Sequence, residues 1–173
     1  VSFGQLAATR DFSRGRVQIR YYLRDDFRSD FDFSGMNLKG SVVENIPDDW
    51  KFNDAWINGA TLSGLTKQQL RSTASYKNGD LSRVILGQSE LTSFEFDGVN
   101  LTGARFGQCK FQRASFEGAV ITDVTIAYGC EGLVVDQIRS SWNFKNRRMK
   151  TVNLPDGLAR ELRKERVQQD GHE

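Results

Sequence analysis

Ten large apolar residues spaced five apart are the feature that most restricts how this chain can fold. The run comprises Leu81, Leu86, Leu91, Phe96, Leu101, Phe106, Phe111, Phe116, Ile121 and Ile126. An α-helix cannot hold them on one face, because steps of five spread residues around its surface. A flat strand cannot do so either, because odd steps alternate between its two faces. The spacing predicts a solenoid with five residues per side, in which every member of the run points inward.

A second inward set lies two positions before each member of the run and is small from Ala104 to Ala119. An inward position near a corner leaves room for small side chains only. We therefore expect Cys109, which belongs to this set, to behave as a small buried hydrophobe rather than a reactive thiol. Cys109 and Cys130 match no metal or redox spacing, and both are predicted to be unpaired thiols.

The segments DLSRV, NLTGA, RFGQC, KFQRA and SFEGA resemble pentapeptide repeats, whose consensus is roughly A-(D/N)-L-x-x. The resemblance is specific over residues 79–126 and looser over 31–62. It implies an all-β solenoid, a right-handed parallel β-helix with four five-residue sides per coil. Residues twenty apart should then stack, as in the ladder Leu86, Phe106 and Ile126. The step from Val43 to Phe52 is nine rather than ten, so the segment ENIPDDW is predicted to be a loop that has lost one residue.

Short helices are predicted to interrupt and cap the solenoid near residues 2–12, 66–76 and 134–144. Residues 65–86 and 133–154 align with eight identities in 22 positions, among them Gln69 with Gln137. Thr66 and Gln69 fit a capping box, whereas Val134 at the matching position lacks the hydroxyl. The end helices would cover bare core and strand edges, and the middle one would lie between two blocks of coil, 31–62 and 79–126, as in two capped half-solenoids that are fused or stacked. The recurring Gln and Arg are interpreted as holding each helix on its coil.

The predicted division of the chain is a β-helix over residues 1–154, followed by a C-terminal helix and frayed tail over 155–173. Pro155 suits the first turn of that helix. The chain begins at Val1 rather than methionine, so we expect a fragment in which an upstream targeting segment is not represented. Localisation is left open, with the cytoplasm favoured. No apolar window reaches the length of a membrane span.

Catalysis is not expected from this sequence. The sole histidine, His172, lies in the tail, and no Walker loop or glycine fingerprint is present. We therefore predict that the protein is not an enzyme and that it binds neither a metal ion nor a cofactor. Asp25, Asp26, Asp30 and Asp32 are interpreted as a solvated corner rather than a catalytic carboxylate pair.

Charge is unevenly distributed along the chain. Residues 139–168 hold nine Lys or Arg against three acidic residues, whereas residues 79–126 hold four against six. A candidate interaction patch consists of Arg139, Lys145, Arg147, Arg148 and Lys150. It would suit an anionic partner. The alternative is a solvated end cap whose charges complement helix dipoles.

These observations predict a non-catalytic scaffold or protein–protein interaction module with an unidentified protein partner. One alternative is nucleic-acid binding through the basic C-terminal end. The resemblance also implies topoisomerase-related binding, since some family members resemble B-form DNA and protect or inhibit gyrase; the net charge of +2 argues against such mimicry here. A third alternative is a spacer appended to a functional domain outside this chain. Capped ends favour a monomer.

Overall fold

The computed structural model describes residues 18–20, 31–127 and 129–170, with side chains over 31–127 and 129–164. The predicted helix near residues 2–12 lies outside these ranges, as do Asp25, Asp26, Asp30 and His172. The strands that the structure describes form one parallel sheet in chain order: β1 (Gln18–Arg20), β2 (Val42–Glu44), β3 (Thr61–Ser63), β4 (Ile85–Gly87), β5 (Arg105–Gly107) and β6 (Thr125–Ile126). A chain that winds repeatedly around one axis produces this order, so the architecture is a parallel β-helix.

The strand register confirms coils of twenty residues over the regular part of the chain. Leu86 pairs with Phe106, and Phe106 pairs with Ile126, as the predicted ladder requires. Isolated parallel bridges on the other sides of the coil have the same spacing, for example Glu90 with Lys110. Each coil therefore has four sides of five residues.

The five-spaced apolar residues form the core, and none of the ten is more than 4% exposed. Phe96 and Phe116 lie in adjacent coils with ring centroids 5.0 Å apart and planes inclined by 17°. Cys109 is fully buried, which confirms that the second, small set also points inward. Aromatic rings thus stack along the axis while small residues fill the space beside them.

The coil that contains ENIPDDW is one residue shorter than the regular ones. Val43 pairs with Leu62, a step of nineteen residues. The loop is closed by a hydrogen bond from the Ile46 N–H to the Ser63 carbonyl at 2.9 Å. The prediction that one residue is lost here is confirmed.

The described helices are short except for the last: α1 (Lys67–Ser72), α2 (Ala74–Lys77), α3 (Val135–Arg139), α4 (Trp142–Lys145) and α5 (Asp156–Asp170). The two blocks of coil on either side of the middle helices are stacked directly on each other. Leu62 pairs directly with Leu86 across them, so the sheet and core are continuous. A helical residue advances about 1.5 Å along the chain direction, whereas a strand residue advances roughly 3.3 Å. The helices α1 and α2 can therefore fill part of one coil with more residues than strands would need, and the coils still stack.

Gln69 attaches α1 to the coil beneath it. Its Nε2 donates to the carbonyls of Pro47 and Trp50 at 2.8 and 2.9 Å. Its Oε1 accepts from the Thr66 N–H at 2.9 Å, while the Thr66 hydroxyl accepts from the Gln69 N–H at 3.2 Å. The predicted capping box is present, and the same glutamine holds the helix on the solenoid.

Gln137 makes the equivalent contacts for α3. Its Nε2 donates to the carbonyls of Phe111 and Ala114 at 2.8 and 2.7 Å, and its Oε1 accepts from the Val134 N–H at 2.6 Å. Val134 has no hydroxyl to return a bond, so only the glutamine half of the box forms. The interpretation of the recurring glutamines as structural is confirmed.

Candidate functional site

The C-terminal end of the solenoid is formed by α3, α4 and α5. After α4 the chain re-enters the sheet at Asn153, whose carbonyl accepts from the Ile126 N–H at 2.9 Å and whose N–H donates to the Val124 carbonyl at 2.8 Å. The helix α5 follows directly and contacts α3. Leu154 and Leu162 are both 7% exposed, so α5 packs onto the core at this end.

A groove with a cavity of about 480 Å³ lies between α5 and the segment that contains α3 and α4. Its apolar floor consists of Phe144, Met149, Val152, Leu154, Ala159 and Leu162. Its rim is basic and consists of Arg139, Lys145, Arg147, Lys150 and Arg163. The arrangement provides apolar contact area bordered by positive charge.

Four of the five residues in the predicted patch line this groove, namely Arg139, Lys145, Arg147 and Lys150. Arg148 does not. Its guanidinium lies over the Trp142 ring, 5.6 Å from the centroid, which is the geometry of a cation–π contact. The structure therefore places Arg148 beside the groove rather than in it.

Arg163 and the apolar floor were not predicted from the sequence. The spacing of Leu154, Leu158 and Leu162 indicated a helix with one apolar stripe, and Arg163 follows the last member of that stripe. That signal could not show which surface the stripe contacts. The predicted division of the chain placed α5 outside the β-helix. In the structure α5 packs on α3, and this contact creates the groove.

The basic residues of the rim fall into two groups. Arg139 forms an ion pair with Asp136, and Lys145 forms one with Glu117 on the preceding coil. Arg147 and Lys150 are exposed and form no ion pair with any residue that the structure describes. The Lys145–Glu117 pair attaches α4 to the solenoid, and the Arg139–Asp136 pair lies within α3. Arg147 and Lys150 supply charge that an anionic partner could neutralise.

Groups of three or more His, Cys, Asp or Glu side chains arranged to hold a metal ion are absent from the described part of the chain. No helix in residues 31–127 or 129–170 is both long and apolar enough to cross a bilayer. Cys109 and Cys130 are free thiols.

The stacked parallel coils and their five-residue sides define a repeat protein of the solenoid class. The family model for pentapeptide repeats matches residues 80–118 and 100–128 with eight copies of the repeat. Residues 80–128 thus carry pentapeptide repeats, and the solenoid that they form is the right-handed β-helix typical of such repeats.

A search of solved structures gives a match to full-length QnrB1, a plasmid-mediated fluoroquinolone resistance protein. The two sequences are 16% identical, the match covers 62% of this chain and 63% of that one, and the TM-score is 0.23. This chain therefore spans less than two thirds of the length of QnrB1. A search of curated proteins finds no match.

Proposed function

We propose that this protein is a non-catalytic interaction module that binds an acidic, amphipathic segment of a partner protein in the C-terminal groove. The observation that carries this proposal is the combination of an apolar floor and a basic rim in one cavity. An amphipathic helix bound in a groove uses apolar side chains as anchors. Acidic residues beside those anchors would meet Arg147, Lys150 and Arg163.

The floor favours a protein partner over duplex nucleic acid. Phe144, Met149 and Val152 are only partly buried, so a partner with apolar side chains would remove more of their surface from water. Phosphate groups interact with the basic rim alone and leave that apolar surface exposed. A cavity of about 480 Å³ also falls within the usual size of small binding sites.

Nucleic-acid binding, including topoisomerase-related binding, is the second candidate. Arg147, Arg148 and Lys150 are exposed and close in sequence, as a phosphate-binding surface requires. Mimicry of DNA is disfavoured by the net charge of +2. A spacer role remains the third candidate, and the monomeric state that capped ends favour stays a prediction.

Fluorescence anisotropy with defined probes tests the proposal. The probes are a short synthetic peptide with leucines at helical spacing among glutamates, a scrambled peptide of the same composition, and a short DNA duplex. The groove variant carries Arg147→Glu, Lys150→Glu and Arg163→Glu, three exposed residues of the rim. The matched control carries Arg83→Glu, Arg105→Glu and Arg113→Glu, which reverse the same charge on the coils. Arg83 and Arg113 have φ angles of 58° and 57°, close to the 56° of Arg147.

We expect the patterned peptide to bind roughly tenfold more tightly than the scrambled one, because only it presents charge and apolar anchors together. Binding should be lost in the groove variant and kept in the control. Equal binding of both peptides would refute recognition of an amphipathic helix by the groove. DNA binding that weakens steeply with salt and is lost in the groove variant would establish the second candidate instead. Affinity capture from cell lysate, with and without nuclease, would then identify the class of the natural partner.

A further inference from the structure

Cys109 and Cys130 lie next to each other on adjacent coils, although they are 21 residues apart in sequence. Two backbone hydrogen bonds join the coils at this point: the Glu131 N–H donates to the Cys109 carbonyl at 2.9 Å, and the Phe111 N–H donates to the Glu131 carbonyl at 2.7 Å. Lys110 and Glu131, which follow the two cysteines, form a parallel bridge. The backbone therefore holds the two thiols in register.

The thiol of Cys130 is directed at Cys109. The Cys109 N–H donates to the Cys130 Sγ at 3.4 Å. Adjacent strands lie about 4.8 Å apart, and disulfides join residues whose Cα atoms are separated by roughly 4.4–6.8 Å. The spacing of adjacent strands thus falls within the Cα separations that disulfides bridge.

The segment that carries Cys130 is closely packed on the coil beneath it. A Cβ atom added to Gly132 would lie 2.5 Å from the Gln112 side chain and 2.8 Å from its backbone nitrogen. Gly132 also has a φ angle of 73°, which favours glycine. Close approach of the two coils at residues 129–132 keeps Cys130 beside Cys109.

The two thiols have different environments. Cys109 is fully buried, whereas Cys130 is only partly buried and can be reached from solvent. A hydrogen bond from the Cys109 thiol lowers the pKa of Cys130 to about 7. The same hydrogen bond, together with burial, raises the pKa of Cys109. Cys130 is consequently the nucleophile of the pair, since the thiolate is the reactive form.

We propose that Cys130 and Cys109 form a peroxide-sensitive dithiol site that closes an intramolecular disulfide between adjacent coils. The Cys130 thiolate sulfur attacks one oxygen of hydrogen peroxide, the O–O bond breaks, and hydroxide leaves and takes up a proton to become water. The product is a sulfenic acid on Cys130. The Cys109 sulfur then attacks the Cys130 sulfur, the S–O bond breaks, and the departing hydroxide takes the Cys109 proton as water. Both sulfurs are oxidised and the peroxide is reduced.

Mass spectrometry of the full chain during titration with hydrogen peroxide tests this site. The expected product has lost the mass of two hydrogen atoms, contains a peptide cross-link between Cys109 and Cys130, and returns to the dithiol form with a reducing agent. The variant Cys109→Ala should stop at a sulfenic acid on Cys130 that a dimedone reagent traps, and this should form more slowly than in the wild-type protein because the hydrogen bond that lowers the pKa of Cys130 is lost. The variant Cys130→Ala should stay unmodified at the same dose, because Cys109 is buried.

A second measurement remains informative if Cys109→Ala disturbs the core. In the native wild-type protein at neutral pH, iodoacetamide should alkylate Cys130 at least about tenfold faster than Cys109. Peroxide that adds oxygen atoms to Cys130 in the wild-type protein without forming the cross-link would overturn the proposal. So would a disulfide that joins two molecules, or equal alkylation rates for the two thiols.

Discussion

The middle helical segment, residues 65–86, and the C-terminal one, residues 133–154, share a sequence pattern but differ in what covers them. Leu81, Val84 and Leu86 follow the middle helices and are fully buried, because further coils stack over them. Met149, Val152 and Leu154 occupy the matching positions at the end, where α5 is the one element in the described part of the chain that follows them. The groove therefore occupies, at the C-terminal end, the position that the next coil occupies above the middle helices.

Single side chains reflect the same difference. The Tyr76 hydroxyl donates to the Glu95 carbonyl of the covering coil at 2.8 Å, whereas its counterpart Phe144 has no hydroxyl and lines the groove. Burial raises the pKa of Tyr76. Arg71 lies 5.3 Å from the centroid of the Phe94 ring on that coil, while its counterpart Arg139 faces the groove. Loss of the covering coil leaves these positions available for a partner.

Part of the basic rim is specific to the C-terminal copy. Arg139 and Lys145 have counterparts in Arg71 and Lys77, and Lys77 forms an ion pair with Asp54 at 2.8 Å. The C-terminal copy has three further basic residues, Arg147, Arg148 and Lys150. The middle copy has Gly79, Asp80 and Ser82 at the matching positions. The shared Lys77 and Lys145 thus attach their helices to the preceding coil, whereas the added charges lie on the surface.

The largest expected change in stability comes from the core residue Leu81 of the middle copy, compared with its counterpart Met149. Leu81→Ala should lower the free energy of unfolding by about 3 kcal/mol, because it empties a fully buried position that the covering coils cannot refill. Met149→Ala should cost about 1 kcal/mol, since its side chain is only partly buried at the groove. Urea unfolding measures both values. Equal losses would show that the end of the solenoid is as well covered as its middle.

The inward orientation of Leu81 and the rest of its run was predictable from the spacing of five, whereas the four-sided coil that stacks residues twenty apart was implied by the resemblance to pentapeptide repeats. Whether the coils on either side of the middle helices are fused or stacked was left open, because the sequence shows where a helix interrupts the period but not whether the flanking strands pair. The proximity of Cys130 to Cys109 was not visible, since 21 residues departs from the period by one. The groove depends on how α5 packs on α3, which is a tertiary contact that no local pattern specifies.

The two clamping glutamines provide the second test of the comparison. Gln69→Ala should cost about 2 kcal/mol, because it leaves the carbonyls of Pro47 and Trp50 without their donor under a covered helix. Gln137→Ala should cost about 1 kcal/mol, because water can reach the less covered end of the solenoid. Thermal and urea unfolding give the values, and hydrogen exchange should show that the loss of protection in the second variant is confined to the C-terminal helices.

Gln68→Ala is the matched control for this pair, since Gln68 is the same residue type in the same helix but is exposed. It should change stability by less than about 0.5 kcal/mol. Equal costs for Gln69→Ala and Gln137→Ala would mean that the covering coil does not matter to the clamp.

The smallest effect on stability is expected from Arg147→Gly, which gives the C-terminal copy the residue that the middle copy has at Gly79. Both residues have a positive φ, 56° for Arg147 and 66° for Gly79. Glycine removes the cost of about 1 kcal/mol that a left-handed conformation imposes on an L-residue in the folded state. It also increases the entropy of the unfolded chain by a free energy of similar size, so the two terms nearly cancel. Binding of the patterned acidic peptide should nevertheless weaken several-fold, because a rim charge is lost.

The reverse change, Gly79→Arg, should add no peptide binding, since the coil over Leu81 leaves no apolar floor beside the new charge. Peptide binding gained by Gly79→Arg would show that charge alone makes the site, and would remove the distinction between the two copies on which the groove proposal rests.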